Sequence, residues 1–391
     1  MGILSNTVSI CQFRVVGNLP ATDLFAWVSE RLAKNGFVPI DQGTAELSIG
    51  WVHTDDYRES SFAIPAAFWR DHYLALTLRQ DRRTIPGALL RAHQKLAERD
   101  FLTANAGFTR VPKQKREELR DAVRSALLAR TLPVPAVYDA VWDIGTSVLT
   151  LATLGTKVID QFENHFKKTF EGFRLVAVHP YDRAEAVVPA QLKPALHQAN
   201  QATTDAVLDL IKSNQWLGWD FLRWVMYRTM NDSSEYRINQ PGPASSEEPF
   251  VAYLNDRMVL CGHGENGTQK ITASGPQDRF GEVRTALQTG KQITEATLHL
   301  ERGEHLWKMT LKGEMFHFAS FKAPQVKVER DAGVDEASER EAVFFERMNL
   351  LEVGQQLFDS LYATFLAVRL GNGWREELRK IDDWLAAGEA P

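Results

Sequence analysis

Residues 292–321, QITEATLHLERGEHLWKMTLKGEMFHFASF, alternate apolar and polar side chains across two turns, ERGE and LKGE, each carrying a glycine. A period of two with turn residues between the runs is the pattern of antiparallel strands. The segment therefore predicts a three-stranded meander. With strands and helices interleaved along the rest of the chain, the class to expect is α+β, not an all-helical bundle.

The same reading extends to both sides. TVSICQFRVV (7–16) reads as a strand, and residues 21–36 as a helix with Leu24, Val28 and Leu32 on one face and Gly36 as its stop. Residues 46–52 and 72–78 read as further strands. Ile85-Pro86 opens a helical stretch, GALLRAHQKLAERD; TANAGFTR breaks it, and a second helical stretch follows, so residues 86–130 form a helical arm. Residues 137–152 predict a hairpin around Gly145 and Thr146, and Ile159, Phe162, Phe166 and Phe170 mark a helix before the strand RLVAV (174–178). Residues 191–230 look helical, and the Trp216, Trp219 and Trp224 stripe at their end reads as a buried core helix before a partner-binding one. A Ser- and Pro-rich loop (231–249) follows, then the meander, an amphipathic helix over 340–370 and a polar tail.

A chain of 391 residues exceeds one ordinary core. The expected division is a discontinuous central α+β domain (1–85 plus 131–185), a helical tip (86–130), and a base (186–391) holding an inserted helix and the 231–249 loop.

Much chemistry is unsupported by motif. The only cysteines, Cys11 and Cys261, give neither a disulfide framework nor paired zinc spacing, which fits a reducing cytoplasm. No leader pattern opens the chain and no apolar run is long enough to span a membrane. GxxxxGK[ST], GxSxG and HExxH are absent. The Cys261-Gly-His263-Gly-Glu265-Asn-Gly267 run reads as a turn after a strand, and His299 and His317 as ordinary strand histidines. The expectation is no catalytic residue, no metal and no cofactor.

One segment stands apart. RVPKQKREELRDAVRSALLAR (110–130) carries seven Lys or Arg against three acids in a chain of formal net charge -5. On a helix, Lys113, Arg116, Arg120 and Arg124, spaced 3, 4 and 4 apart, share one stripe. Leu119, Ala122, Val123 and Ala126 are the expected apolar face, with Glu117, Glu118 and Asp121 on the other flank. A solvated helix face and a phosphate-tracking surface are equally consistent with that pattern. Arg79, Arg82, Arg83, Arg91 and Lys95 would extend the surface if they face the same way.

The order of features resembles the recombination-associated RdgC family. The resemblance rests on GWV (50–52), LRQDRRTIPGALL, LLAR (127–130) before VWDIGTSVLTLA, LGWDFLRWV, ALQTGKQITEATLHL with the meander after it, and FFERMNLLEVGQQLFDSLYATFL. It implies a horseshoe-shaped subunit with central antiparallel-sheet layers, a helical tip and an α+β base. Two subunits would close into a ring that takes duplex DNA without sequence preference, in the cytoplasm and on the nucleoid, and restrain RecA-dependent recombination. It also implies a phosphate contact at Lys291 of the TGK motif, and dimer contacts at Leu132, where the family tends to carry an aromatic residue, and at Gln277. Pro276 stands where a basic residue is usual. The family's other label, exonuclease, makes metal-dependent DNA hydrolysis the alternative activity, and a module that binds recombination proteins is a further one.

Overall fold

The meander forms as expected, and its neighbours show what it is built into. The structure, a computed structural model, describes residues 2–43, 45–264, 267–276, 280–327 and 335–387. In chain order the first half runs β1 (Thr7–Val16), α1 (Leu24–Lys34), β2 (Leu47–Val52), β3 (Trp69–Arg70), β4 (Tyr73–Arg82), α2 (Gly87–Ala104), α3 (Lys113–Arg130), β5 (Val134–Asp143), β6 (Val148–Leu151), α4 (Thr156–Thr169) and β7 (Arg174–Ala177). The second half runs α5 (Pro180–Val187), α6 (Lys193–Ala199), α7 (Val207–Ser213), α8 (Trp216–Asn231), β8 (Glu235–Arg237), β9 (Pro249–Gly264) and β10 (Gly267–Ala273). It ends with α9 (Gly281–Gln288), the meander β11 (Gln292–Arg302), β12 (His305–Lys312) and β13 (His317–Lys322), then α10 (Glu336–Arg369) and α11 (Trp374–Ala386). The class is α+β, with antiparallel ladders throughout the named strand pairs.

The chain folds as two compact units, each discontinuous in sequence: residues 1–16, 147–159 and 175–391 form the first, and residues 17–146 and 160–174 the second. The base expected over 186–391 thus shares its unit with β1 and β6.

In the first unit the strand order is β10-β9-β11-β12-β13-β1-β6. Strand alternation sends Leu298 and Leu300, and Trp307, Met309 and Leu311, into the core, and register shifts in the ladders let Ile293, Phe318 and Phe321 be buried as well. Helices α8 and α10 meet there through Phe221, which lies 5.3 Å from Tyr362 and 5.8 Å from Phe358. Of the three tryptophans of α8, Trp224 is core, 1% exposed, while Trp216 and Trp219 are half-buried. Helix α10 starts where Asp335 accepts a hydrogen bond from the Ser338 amide at 2.8 Å, an N-cap that satisfies one orphan donor. Gly218 of α8 faces the turn between β12 and β13 so closely that a Cβ would sit 2.3 Å from the Gly313 carbonyl oxygen. Gly218→Ala is expected to cost about 1–3 kcal/mol by overpacking, read as a lower urea midpoint with an unchanged slope.

In the second unit β2, β4 and β5 pair in the order β5-β4-β2 with β3 on β4, and the later turns of α4 cover them. Trp51 Nε1 donates to Thr169 Oγ1 at 2.7 Å, Phe162 meets the Trp51 ring at 5.6 Å, and Phe166 meets Trp142 at 5.7 Å. The Phe162, Phe166, Phe170 stripe is therefore the helix's buried face.

Several expectations shift. Strand β4 runs on through Arg82, and β5 begins at Val134 with Pro135 inside it. The stretch expected helical over 191–230 breaks at 200–206, where Asp209 gathers the amides and hydroxyls of Thr203 and Thr204. The 231–249 loop holds the short strand β8, and the polar tail is largely helix α11, buried at Ile381 and Leu385. On either side of the run from Cys261, β9 and β10 pair antiparallel with Gly264 opposite Gly267; Glu265 and Asn266 lie outside the described residues.

Candidate nucleic-acid interface

The arm is an antiparallel pair, α2 against α3, joined by residues 105–112 and belonging to the second unit. Leu90, Gln94, Ala97, Glu98, Phe101 and Leu102 of α2 are half-buried against Lys115, Leu119, Val123 and Leu127 of α3. Ala122 and Ala126, expected on the apolar face, are exposed instead; the seam follows the i, i+4 line through Leu119. Arg116 reaches Glu98 at 3.4 Å and fixes the register of the pair.

At about 100° per residue, Arg91 and Lys95 lie on the flank of α2 next to Glu98. Lys113, Arg120 and Arg124 lie on the flank of α3 next to Arg116. In an antiparallel pair the flanks reached by turning in the same helical sense fall on one side, and the Arg116–Glu98 contact marks it. All of these cations are exposed. One side of the arm therefore carries Arg91, Lys95, Lys113, Arg116, Arg120 and Arg124, with Glu98 and Glu117 among them.

These cations differ in availability. Lys113, Arg120 and Arg91 make no ion pair or side-chain hydrogen bond among the described residues. Arg124 is forked onto Glu46 at 3.0 and 2.6 Å, and that hydrogen bonding holds the Glu46 carboxyl below its usual range. Both partners are more than two-fifths exposed, so the pair adds little stability and is open to exchange with phosphate. Arg82 is exposed beside Glu46, where its charge also lowers that carboxyl.

Two expected contacts turn inward. Arg79 is forked onto buried Asp81 at 2.7 Å through both nitrogens, donates to the Tyr57 carbonyl at 3.0 Å and lies 4.2 Å over the Phe37 ring. Arg83, 3% exposed, donates to the carbonyls of Ile40, Asp41 and Gly43 and closes that loop. Alternation along an extended chain explains the split, because 79, 81 and 83 share one face and Arg82 the other.

Lys291 belongs to the first unit, half-buried, with Nζ 3.2 Å from Thr289 Oγ1. Leu132 is 79% exposed just past α3, and Val134 beside it 68%. Gln277 lies outside the described residues. Arg91 and Lys95 lie on the same side of the arm as the α3 stripe.

Asp256, held at φ 64° in a bulge of β9, bonds Lys308 at 2.5 Å and His299 at 3.2 Å. Lys308 holds the Asp256 carboxyl below its usual range, and burial lowers His299. Among the described residues no group of three or more His, Cys, Asp or Glu is placed to hold a metal ion. Nor is any helix among them long and apolar enough to cross a membrane. The arm can thus offer charge to a polyanion along one side.

Residues 12–202, which include the whole arm, match the family model described as "Putative exonuclease, RdgC". No curated protein matches the chain.

Proposed function

Because the chain belongs to the RdgC family through residues 12–202, we propose that it binds duplex DNA without sequence preference and, as a ring-forming homodimer, restrains RecA-dependent recombination. Family membership itself gives a recombination-related, nucleic-acid-associated role. The observation that carries the finer reading is the single-sided row of exposed cations on the arm, set in a chain of net charge -5. Cations spaced along a helix pair follow a phosphate backbone, release counterions and read no base. Arg91, Lys95, Lys113, Arg116, Arg120 and Arg124 make these contacts, with Arg82 at the arm's root and Lys291 on the first unit. Arg79 and Arg83 act behind them, holding the loops that carry the sheet. Exposed Leu132 and Val134 supply an apolar contact for a second subunit.

The test is duplex binding by fluorescence anisotropy across a salt series, with unrelated sequences of equal length. Lys113→Glu with Arg120→Glu is expected to reduce the magnitude of the log–log salt slope by about two, equally for every sequence. An unchanged slope would remove the arm from the interface. Magnesium-dependent loss of DNA ends by purified wild type would favour the exonuclease reading over the clamp.

A further inference from the structure

Arg347 of α10 is 1% exposed, and Phe344, Leu350 and Leu351, one turn away on the same helix, are buried and apolar. Its Nε donates to the Ile3 carbonyl at 3.1 Å, which ties α10 to the turn before β1. Its Nη1 and Nη2 are buried and have no partner among the described residues. Arg83 and Arg183, also buried, lack a partner only at Nε; their Nη atoms reach backbone carbonyls in one case and Asp359 and Gln12 in the other.

A guanidinium does not shed its charge to suit an apolar site. Burial lowers Arg347 only to about 10, and no carboxylate among the described residues stands near enough to counter that fall. A buried, unpaired cation is costly, and buried donors without a partner call for an acceptor. What is left open specifies that acceptor. With Nε committed to Ile3, the free edge is the end-on pair Nη1 and Nη2, a planar fork that matches two oxygens of one anion.

We propose that the first unit binds a small oxyanion, of the size of inorganic phosphate, at Arg347, held end-on by the two Nη atoms. The anion supplies the charge that the surrounding side chains withhold. It locks α10, through the guanidinium and Ile3, to the start of β1, while Trp307 Nε1, donating to the Leu350 carbonyl at 2.8 Å, holds the next turn of the helix on β12. Entry is past residues 2–5, a turn closed by the Ser5 amide on the Gly2 carbonyl at 3.0 Å, since so short a segment opens locally without the sheet. The cations of the arm belong to the second unit and take no part.

The probe is inorganic phosphate added to the full chain in Tris–chloride buffer, with sodium chloride at matched ionic strength as the reference. Calorimetric titration of wild type is expected to show a single saturable site. Urea unfolding is expected to show a folding constant that rises about a hundredfold at a hundred times Kd. Arg347→Met is expected to abolish the site and to keep only the general stabilisation that phosphate gives by exclusion from protein surfaces. Arg347→Lys, which keeps the charge and loses the fork, is expected to weaken binding about tenfold or more, the loss of one charge-assisted hydrogen bond, and it serves if the methionine variant does not fold. Lys113→Glu with Arg120→Glu is expected to bind phosphate as wild type does, so that failure of the DNA reading and failure of this one are told apart. The proposal is overturned if wild type and the Arg347 variants respond to phosphate alike, or if no saturable site appears. It is overturned too if chloride stabilises wild type as much as phosphate does, which would make the ligand a monatomic ion, or if the arm variant abolishes the heat of binding, which would place the phosphate on the arm.

Discussion

Arg183→Met is expected to destabilise the first unit by about 3–5 kcal/mol, the usual loss when one partner of a buried ion pair is removed. Arg183 is 6% exposed and lies within one network. Its Nη1 bonds Asp359 at 2.5 Å and its Nη2 bonds Gln12 Oε1; Gln12 Nε2 in turn donates to Gln355 Oε1 at 2.9 Å. The guanidinium also lies 5.4 Å from the Phe318 ring and 5.5 Å from Phe358. Removal strands the Asp359 carboxylate, which burial already pushes above its usual range against the pull of Arg183. The variant should therefore take up a proton at Asp359 on folding. Its deficit relative to wild type is expected to shrink as pH falls, because a neutral carboxyl needs no counter-ion. Arg183→Met with Asp359→Leu should recover most of the loss, since paired apolar replacements leave no unpaired charge. Urea titrations at pH 7 and near pH 5 check both points; a deficit that ignores pH would mean that Asp359 is not the group left behind.

Acid sensitivity should appear well above the carboxylate range. Burial holds His165 down to about 4, and likewise His317, from an ordinary value of 6.5. His165 sits 5.0 Å from the Trp51 ring with Nε2 3.2 Å from the Asn35 carbonyl, and Lys168 adds to its depression. For His317, Lys312 adds to the effect of burial. The unfolded chain takes up these protons near pH 6.5 while the folded chain does not. Their contribution is thus complete above 6.5 and is lost as pH falls toward 4. Each histidine is expected to cost about 3 kcal/mol by then. His179 and His299, also depressed by burial, act with the same sign, and Glu163, raised by burial, acts against it. His165→Gln should flatten the loss in the second unit and His317→Gln in the first, followed by denaturant midpoints from pH 7 to pH 4. A slope unchanged in both variants would place the sensitivity elsewhere.

How much of this was legible follows from the range of the interactions involved. The meander, the α4 stripe and the arm helices were readable because period and turn chemistry are local. The cation row on α3 was readable for the same reason. Whether Arg79, Arg82 and Arg83 belong to it was not, because the residues that capture Arg79 and Arg83 include Phe37, Ile40 and Tyr57, far back along the chain. The Gln12–Arg183 contact spans 171 positions and leaves no local trace. Helix α11 was misread for its polar composition: Ile381 and Leu385 have helical spacing, but what they pack against is set elsewhere. Arg284, bonded to the Trp384 carbonyl at 2.5 Å with its guanidinium 4.9 Å from the Trp384 ring, anchors that helix.

The division of the chain also has a consequence for its continuity. The backbone enters the second unit at Gly17, leaves after Thr146, re-enters at Asp160 and leaves again after Arg174. A nick between α2 and α3 would yield one fragment with β1, β2 and β4 and another with the remaining major strands. β1 lies between β13 and β6, while β4 pairs with β5 along ten successive positions, Tyr73↔Asp143 to Arg82↔Val134. Each fragment would then hold part of a ladder in both units, and the pieces would remain joined like two interlocked combs. The arm's outer loop is thus a place where the polypeptide can be cleaved or lengthened while every β-ladder keeps its full complement of strands.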